Sequence, residues 1–150
     1  METIYDEIWS AALRKIEVRA QSRKELKEKL LMKFPQEEGL ILKVIEEMER
    51  VHLMSDLRFT EEFVAHLTQK NVGRFKIMNE TRQKGLSVAS VEQALLDLDW
   101  SEERVAKKAL QEKVASLGSL EERKKKQKLM SFLRSRGFTD RVIYLVLREF

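Results

Sequence analysis

A chain of 150 residues with 43% hydrophobic and 36% charged side chains has enough apolar content for a core, which excludes a disordered chain. Proline plus glycine make up about 4%, against roughly 12% in an average protein, too few turn formers for a sandwich or barrel. The net charge of +4 is uneven: residues 1–50 hold 10 Lys/Arg against 11 Asp/Glu, residues 51–100 hold 6 against 7, and residues 101–150 hold 13 against 7. The absence of cysteine excludes a disulfide framework, a thiolate nucleophile and a cysteine-based metal site, and fits a reducing, cytoplasmic setting. No apolar run approaches the roughly 20 residues of a bilayer span, and the acidic start METIYDEIWS is unlike a signal peptide, so neither a membrane partner nor export is expected.

In chain order, Ile4, Ile8, Ala11, Ala12 and Ile16 recur at helical spacing and predict a helix over about residues 3–19. Ser22-Arg-Lys-Glu25 is a capping box that opens a second helix over about 23–33, which Pro35 stops. Ile41, Val44, Ile45 and Met48 are the stripe of a third, and the unit closes near Leu53. Ser55 or Asp56 caps a helix burying Phe59, Phe63, Val64 and Leu67; Gly73 and Gly85 bracket the next, with Gly85 placed as a left-handed C-terminal cap. Ser87 or Ser90 opens the helix carrying Val91, Ala94, Leu95 and Leu98. A helix with Val105, Ala109 and Leu110 starts at Ser101 and ends in a loop at Leu117-Gly118. A capping box at Ser119-Leu-Glu-Glu122 follows, Gly137 repeats the role of Gly85, and Thr139 caps a last helix running to Phe150.

These elements repeat. Ile77, Leu86, Val91, Ala94, Leu95 and Leu98 precede Leu129, Phe138, Ile143, Val146, Leu147 and Phe150 by 52 residues each. Leu26, Phe34, Ile41, Val44, Ile45 and Met48 form an earlier copy at offsets of 50 to 52. The expected fold is therefore all-α: three tandem three-helix units over residues 1–53, 54–100 and 101–150, nine helices in all. Units this small have marginal cores, so hydrophobic junctions between them are expected, with Trp9 and Trp100 as candidates beside the simpler reading that each fills its own core.

No catalytic constellation is visible. His52 and His66 lie on different helices without metal-ligand spacing, and there is no P-loop, GxGxxG or GxSxG. Glu46, Glu47 and Glu49 sit among Lys43 and Arg50 as a solvated face. No catalytic residue, metal or cofactor is expected.

The basic helices are more informative. Lys124, Lys125, Lys126 and Lys128 follow Arg123, with Arg134, Arg136 and Arg141 beyond. Corresponding helices carry Arg23, Lys24, Lys27 and Lys29, and Arg74, Lys76, Arg82 and Lys84. Stacked units would align these cations into a stripe for phosphates or acidic protein side chains, although each set also reads as a solvated face. A helix-turn-helix reader of bases fits less well, because the cations are mostly lysines and Gln83 and Gln127 are the main amides available.

Three separated motifs resemble the RecX family of bacterial regulatory proteins. The central one is Asp56-Leu-Arg58-Phe59, then Gly73, Ile77-Met-Asn-Glu80 and Lys84-Gly85; Ser22-Arg23-Lys24-Glu25-Leu26 is similar to the family's first-repeat opening and Arg136-Gly137-Phe138 to its third-repeat ending. The chain departs from the pattern at Arg74, often proline, at Thr81, usually leucine, and in lacking a glycine before Phe34. The resemblance implies three tandem three-helix repeats in an elongated, curved array. It also implies a monomeric negative regulator that lies along the groove of the RecA filament on single-stranded DNA, without sequence preference. Filament growth, ATP hydrolysis, strand exchange and coprotease function are what the family suppresses. The alternative is a nonspecific nucleic-acid-binding helical protein independent of RecA. Within the central motif Asp56 is expected to cap its helix, Phe59 to pack, and Arg58 to pair with Glu61 or Glu62.

Overall fold

The computed structural model describes residues 1–150 and contains nine α-helices and no strand. They are α1 (Ile4–Val18), α2 (Arg23–Lys33), α3 (Glu38–Arg50), α4 (Asp56–Thr68), α5 (Arg74–Gln83), α6 (Val88–Asp97), α7 (Glu102–Leu117), α8 (Glu122–Ser135) and α9 (Asp140–Arg148). Three consecutive helices at a time close around one apolar cluster. Ile8, Leu26 and Ile45 are fully buried in the first, Val64, Ile77 and Val91 in the second, and Ala106, Leu129 and Val142 in the third. Met54 packs in the first cluster. The accessible surface is 9556 Å², against about 8,000 Å² for a compact monomer of this mass, so the helical repeat array is elongated.

Side chains close the helix ends. Ser22 Oγ accepts from Glu25 N–H and Glu25 Oε1 accepts from Ser22 N–H, both at 3.1 Å, and Thr3 and Asp6 make the same reciprocal pair at α1. Ser55, Ser87 and Ser101 accept from the amides three residues on. The expected box at Ser119 does not form: α8 begins at Glu122 without a side-chain cap. Gly118, at φ 63° and ψ −145°, directs the chain out of α7 through a conformation open essentially to glycine, and residues 119–121 bridge to α8.

Four helices end in the same way. Gly85 and Gly137 adopt φ of 69° and 84°, and His52 and Asp99 occupy the equivalent positions after α3 and α6 at 63° and 53°. In each case the next amide bonds back to a carbonyl in the last helical turn, as Leu53 N–H does to Met48 O at 2.9 Å. Leu98 and Phe150, expected to end apolar stripes, are 50% and 43% exposed because both lie beyond the last turn of their helices.

The three buried apolar clusters remain separate, so no continuous hydrophobic core crosses the junctions, contrary to the expectation from the sequence. Trp9 stacks on Tyr5 beside the first cluster and Trp100 packs on the second. The buried residues available are used up inside each small group, and the junctions are made of polar helix ends. The C-terminus of α8 meets the N-terminus of α5, where Gly73 N–H donates to Arg136 O and Phe75 N–H to Gly137 O, both at 2.9 Å. The C-terminus of α5 meets the N-terminus of α2, where Ser22 Oγ donates to Lys84 O at 2.8 Å. At the α8–α5 contact the free amides of one helix start thus meet the carbonyls of another helix's end, and at the α5–α2 contact the capping hydroxyl takes the carbonyl, so ends of opposite partial charge adjoin.

Acidic residues complete each junction. Asp56 does not cap its own helix, which Ser55 does; its Oδ1 accepts from Arg23 N–H at 2.7 Å, across the junction. Glu102 stands in the same position of α7 and accepts from Arg74 N–H at 2.8 Å, and also from the Thr139 amide and hydroxyl. The approach is close: a Cβ on Gly73 would overlap Gly137 O and the Phe138 backbone, and one on Gly85 would lie 2.7 Å from Lys24 Cβ.

Burial alone would raise the Glu25 pKa, but bonds from Arg19 and Lys84, each at 2.9 Å, and from the Ser22 amide outweigh it and hold the carboxyl at about 2. Since Lys84 belongs to α5's end, this carboxylate also ties the first two groups together.

Three measurements follow from this construction. Gly73→Ala is expected to lower unfolding free energy by about 1–3 kcal/mol through overlap at the junction, whereas Gly39→Ala, which has open space around its Cβ, is expected to be neutral or stabilising. Replacing His52 by glycine relieves a left-handed non-glycine residue and is expected to stabilise by about 0.5–1 kcal/mol in denaturant titration. The Glu25 contribution is fully present above the unfolded carboxyl value of about 4.3 and is lost as pH falls toward about 2. Glu25→Gln should flatten the stability profile over that acidic window.

Candidate functional site

The cations read from the sequence do not form a uniform free stripe. In the first group Arg23 bonds Glu49 at 3.3 Å and lies 3.7 Å from Glu46, and Lys27 meets Glu38 at 3.0 Å. Lys24 lies 4.0 Å from Glu28 and reaches Arg82 O. In the second, Arg74 pairs with Glu92, Lys76 with Glu80 at 3.3 Å and Lys84 with Glu25 at 2.9 Å. Arg82 alone of these is exposed without an ion pair. Glu28 and Glu80 lie on α2 and α5 themselves, Glu38, Glu46, Glu49 and Glu92 on the helices packed beside them, and Glu25 across the junction, so these cations are paired within the array.

The third group differs. Lys124, Lys126 and Lys128 are exposed and Lys125 is half-buried, and none has an acidic partner. Arg134 pairs with Asp140 at 3.3 Å. Arg136 lies over the Phe132 ring at 5.3 Å, and Lys113, which the sequence reading missed, lies 5.2 Å from the same ring centroid. A shallow cleft of about 540 Å³ between α7 and α8 is lined by Lys113, Lys124, Gln127, Lys128 and Phe132. It combines cations with an aromatic edge, the chemistry that holds phosphates and stacked planar groups.

Asp56 faces the first junction, Phe59 is buried and stacks against Phe63, and Arg58 is exposed and makes no ion pair with Glu61 or Glu62. Ser55 Oγ holds the Arg58 amide, while the side chain turns toward a small cleft beside Leu53, Phe59 and Glu62. Gly73, Gly85 and Gly137 all lie at the junctions. Thr81, where the resemblance has leucine, is fully buried with its hydroxyl donating to Ile77 O at 2.7 Å, so the group is satisfied. His66 is exposed, His52 turns the end of α3, and no three His, Asp or Glu side chains converge to hold a metal. No helix is long and apolar enough to cross a membrane.

A second group of cations, Arg14, Lys15, Arg19, Lys29 and Lys33, surrounds a cleft of about 390 Å³ between α1 and α2. Lys29, named with the basic set of α2, and Lys33 are four residues apart, one helical turn, on the side of α2 away from Arg23, Lys24 and Lys27. That spacing from Lys29 was the signal available for finding Lys33.

Comparison with known proteins agrees with this architecture. Residues 55–95 match the family described as RecX, second three-helix domain, and residues 101–147 match RecX, third three-helix domain. The chain is 36% identical over 138 residues to the regulatory protein RecX of Pelodictyon phaeoclathratiforme, covering 91% of this chain and 84% of that one. It is 32% identical over 136 residues to the regulatory protein RecX of Amycolatopsis mediterranei, covering 88% and 76%. The crystal structure of RecX from Lactobacillus salivarius superimposes with a TM-score of 0.79 at 20% identity, over 97% of this chain and 95% of that one, a likeness of fold. With its helices, motifs and sequence in agreement over nearly its whole length, the chain belongs to the RecX family of regulatory proteins.

Proposed function

We propose that the chain is a negative regulator of the RecA recombinase, lying along the groove of the RecA filament on single-stranded DNA. It suppresses filament growth, ATP hydrolysis, strand exchange and coprotease function as a cytoplasmic monomer, without chemistry of its own. Its units are residues 1–53, 54–100 and 101–150, with Met54 packing back onto the first. Family membership supports the regulatory reading, and the observation that carries the mode of binding is the unpaired lysine run of α8. An elongated array offers contacts to successive protomers of a filament, and a free polycationic helix at one end offers an electrostatic anchor.

On this reading Lys124, Lys125, Lys126 and Lys128 meet strand phosphates or acidic side chains of the filament, with Arg136 and Phe132 flanking them. The paired cations of α2 and α5 contribute mainly to holding the array, and Arg82 adds a free charge between its two ends. The unpaired lysines also favour a second reading, nonspecific nucleic-acid binding independent of RecA.

Purified protein is expected to lower the single-strand-dependent ATPase of RecA at substoichiometric amounts; no effect in excess contradicts the proposal, and salt-sensitive DNA binding without any RecA effect selects the second reading. Changing Lys124, Lys125, Lys126 and Lys128 together to glutamine is expected to raise the concentration for half-inhibition by about tenfold or more with unchanged thermal unfolding. Unchanged inhibition would mean that the run is only a solvated face.

A further inference from the structure

We propose that the cleft between α1 and α2 is a binding site for a compact phosphoryl group, carried by a free oligophosphate or by a nucleic-acid strand, with Lys15 and Lys29 as its central ligands. Arg14, Lys15, Arg19, Lys29 and Lys33 line it, and no carboxylate does. Its volume of about 390 Å³ falls within the range of small-ligand sites.

The ion-pair pattern distinguishes this cleft from the rest of the array. Arg14, Lys15, Lys29 and Lys33 have no ion-pair partner, in contrast to Arg23, Lys27, Arg74, Lys76 and Lys84 on the same or equivalent helices. Arg19 reaches Glu25 at 2.9 Å and Ala20 O at 2.8 Å, which fixes it at the rim. The side chain of Gln21, a residue 5% exposed, holds Lys29 in place by accepting from its Nζ at 2.8 Å. Burial, and then the positive charges of Arg19, Lys15 and Lys84, press the Lys29 ammonium below its usual value, only partly offset by Glu25. A bound polyanion would relieve that crowding. A single carboxylate brings one charge to a cleft with several cations, whereas a diphosphate concentrates several charges and many acceptor oxygens in one small group.

The test is calorimetric titration of the full chain with sodium pyrophosphate at low ionic strength. With Lys124→Gln/Lys128→Gln in place to disable the α7–α8 cleft, one pyrophosphate per chain is expected, with affinity at least tenfold weaker when Lys15→Gln/Lys29→Gln is added and unchanged when Lys43→Gln/Lys70→Gln is added, which removes the same charge elsewhere. Arg14→Gln/Lys33→Gln changes two exposed side chains and is expected to weaken binding several-fold even if the central pair proves necessary for folding. Displacement of pyrophosphate by an oligothymidylate assigns the cleft to strand phosphates, and failure to displace it assigns the cleft to free oligophosphate. No pyrophosphate binding, equal loss in the Lys43/Lys70 variant, or tighter binding of a polyglutamate peptide than of pyrophosphate would overturn the proposal. RecA is absent from the measurement, so the outcome is independent of the regulatory reading.

Discussion

A helix leaves its first amides and last carbonyls without internal partners, and this array joins its units by making those groups satisfy one another. Gly73 and Phe75 amides meet carbonyls at the end of α8, and Ser22 meets the end of α5. Asp56 and Glu102 take the amides of Arg23 and Arg74 that the carbonyls do not reach. A neutral hydrogen bond contributes only about 1 kcal/mol net, and a charged acceptor somewhat more. Leaving the same groups buried and unpaired costs more than either. With three separate apolar clusters and no shared core, the relative placement of the groups depends on these few contacts.

That construction shapes the charge distribution. Bringing helix ends together places Glu25 against Lys84, while packing within the groups places Glu49 against Arg23 and Glu92 against Arg74. Arg23, Lys24 and Lys27 of α2, Arg74 and Lys76 of α5, and Lys84 at its end are consequently tied into the scaffold. Lys124, Lys125, Lys126 and Lys128 of α8 make no ion pair and remain available. The other unpaired concentration of charge lies at the opposite end of the chain order, between α1 and α2. Free positive charge therefore gathers in the first and third groups, with the second nearly neutral, a distribution that the evenly repeated sequence pattern conceals.

Much of the fold was legible because it is local. The reciprocal cap at Ser22 and Glu25, the apolar stripes and the left-handed glycines at 85 and 137 are set within a few residues of chain. Leu98 and Phe150 were misread because periodicity does not reveal where the last turn stops. Ser119 was misread because a cap signal and a connection can share the same residues. The roles of Asp56 and Glu102 were not legible: each follows a serine that already caps its helix, and the amide each accepts from lies 33 and 28 residues away. Pairing of the basic residues was hidden for the same reason. Composition displays lysines and arginines, but only tertiary packing decides which of them already have a carboxylate.

The junctions can be read directly by amide hydrogen exchange. Gly73, Arg74 and Phe75 occupy the cap and first turn of α5, where amides of an isolated helix are open to solvent and exchange quickly. If the units are joined by shared helix ends, these three amides will be protected to a degree approaching that of Ile77 in the buried part of the helix, and protection at Gly73 and Phe75 will fall in Gly73→Ala while Ile77 stays slow. Exchange of all three at the rate of an exposed helix N-terminus in the unmodified chain would contradict the account.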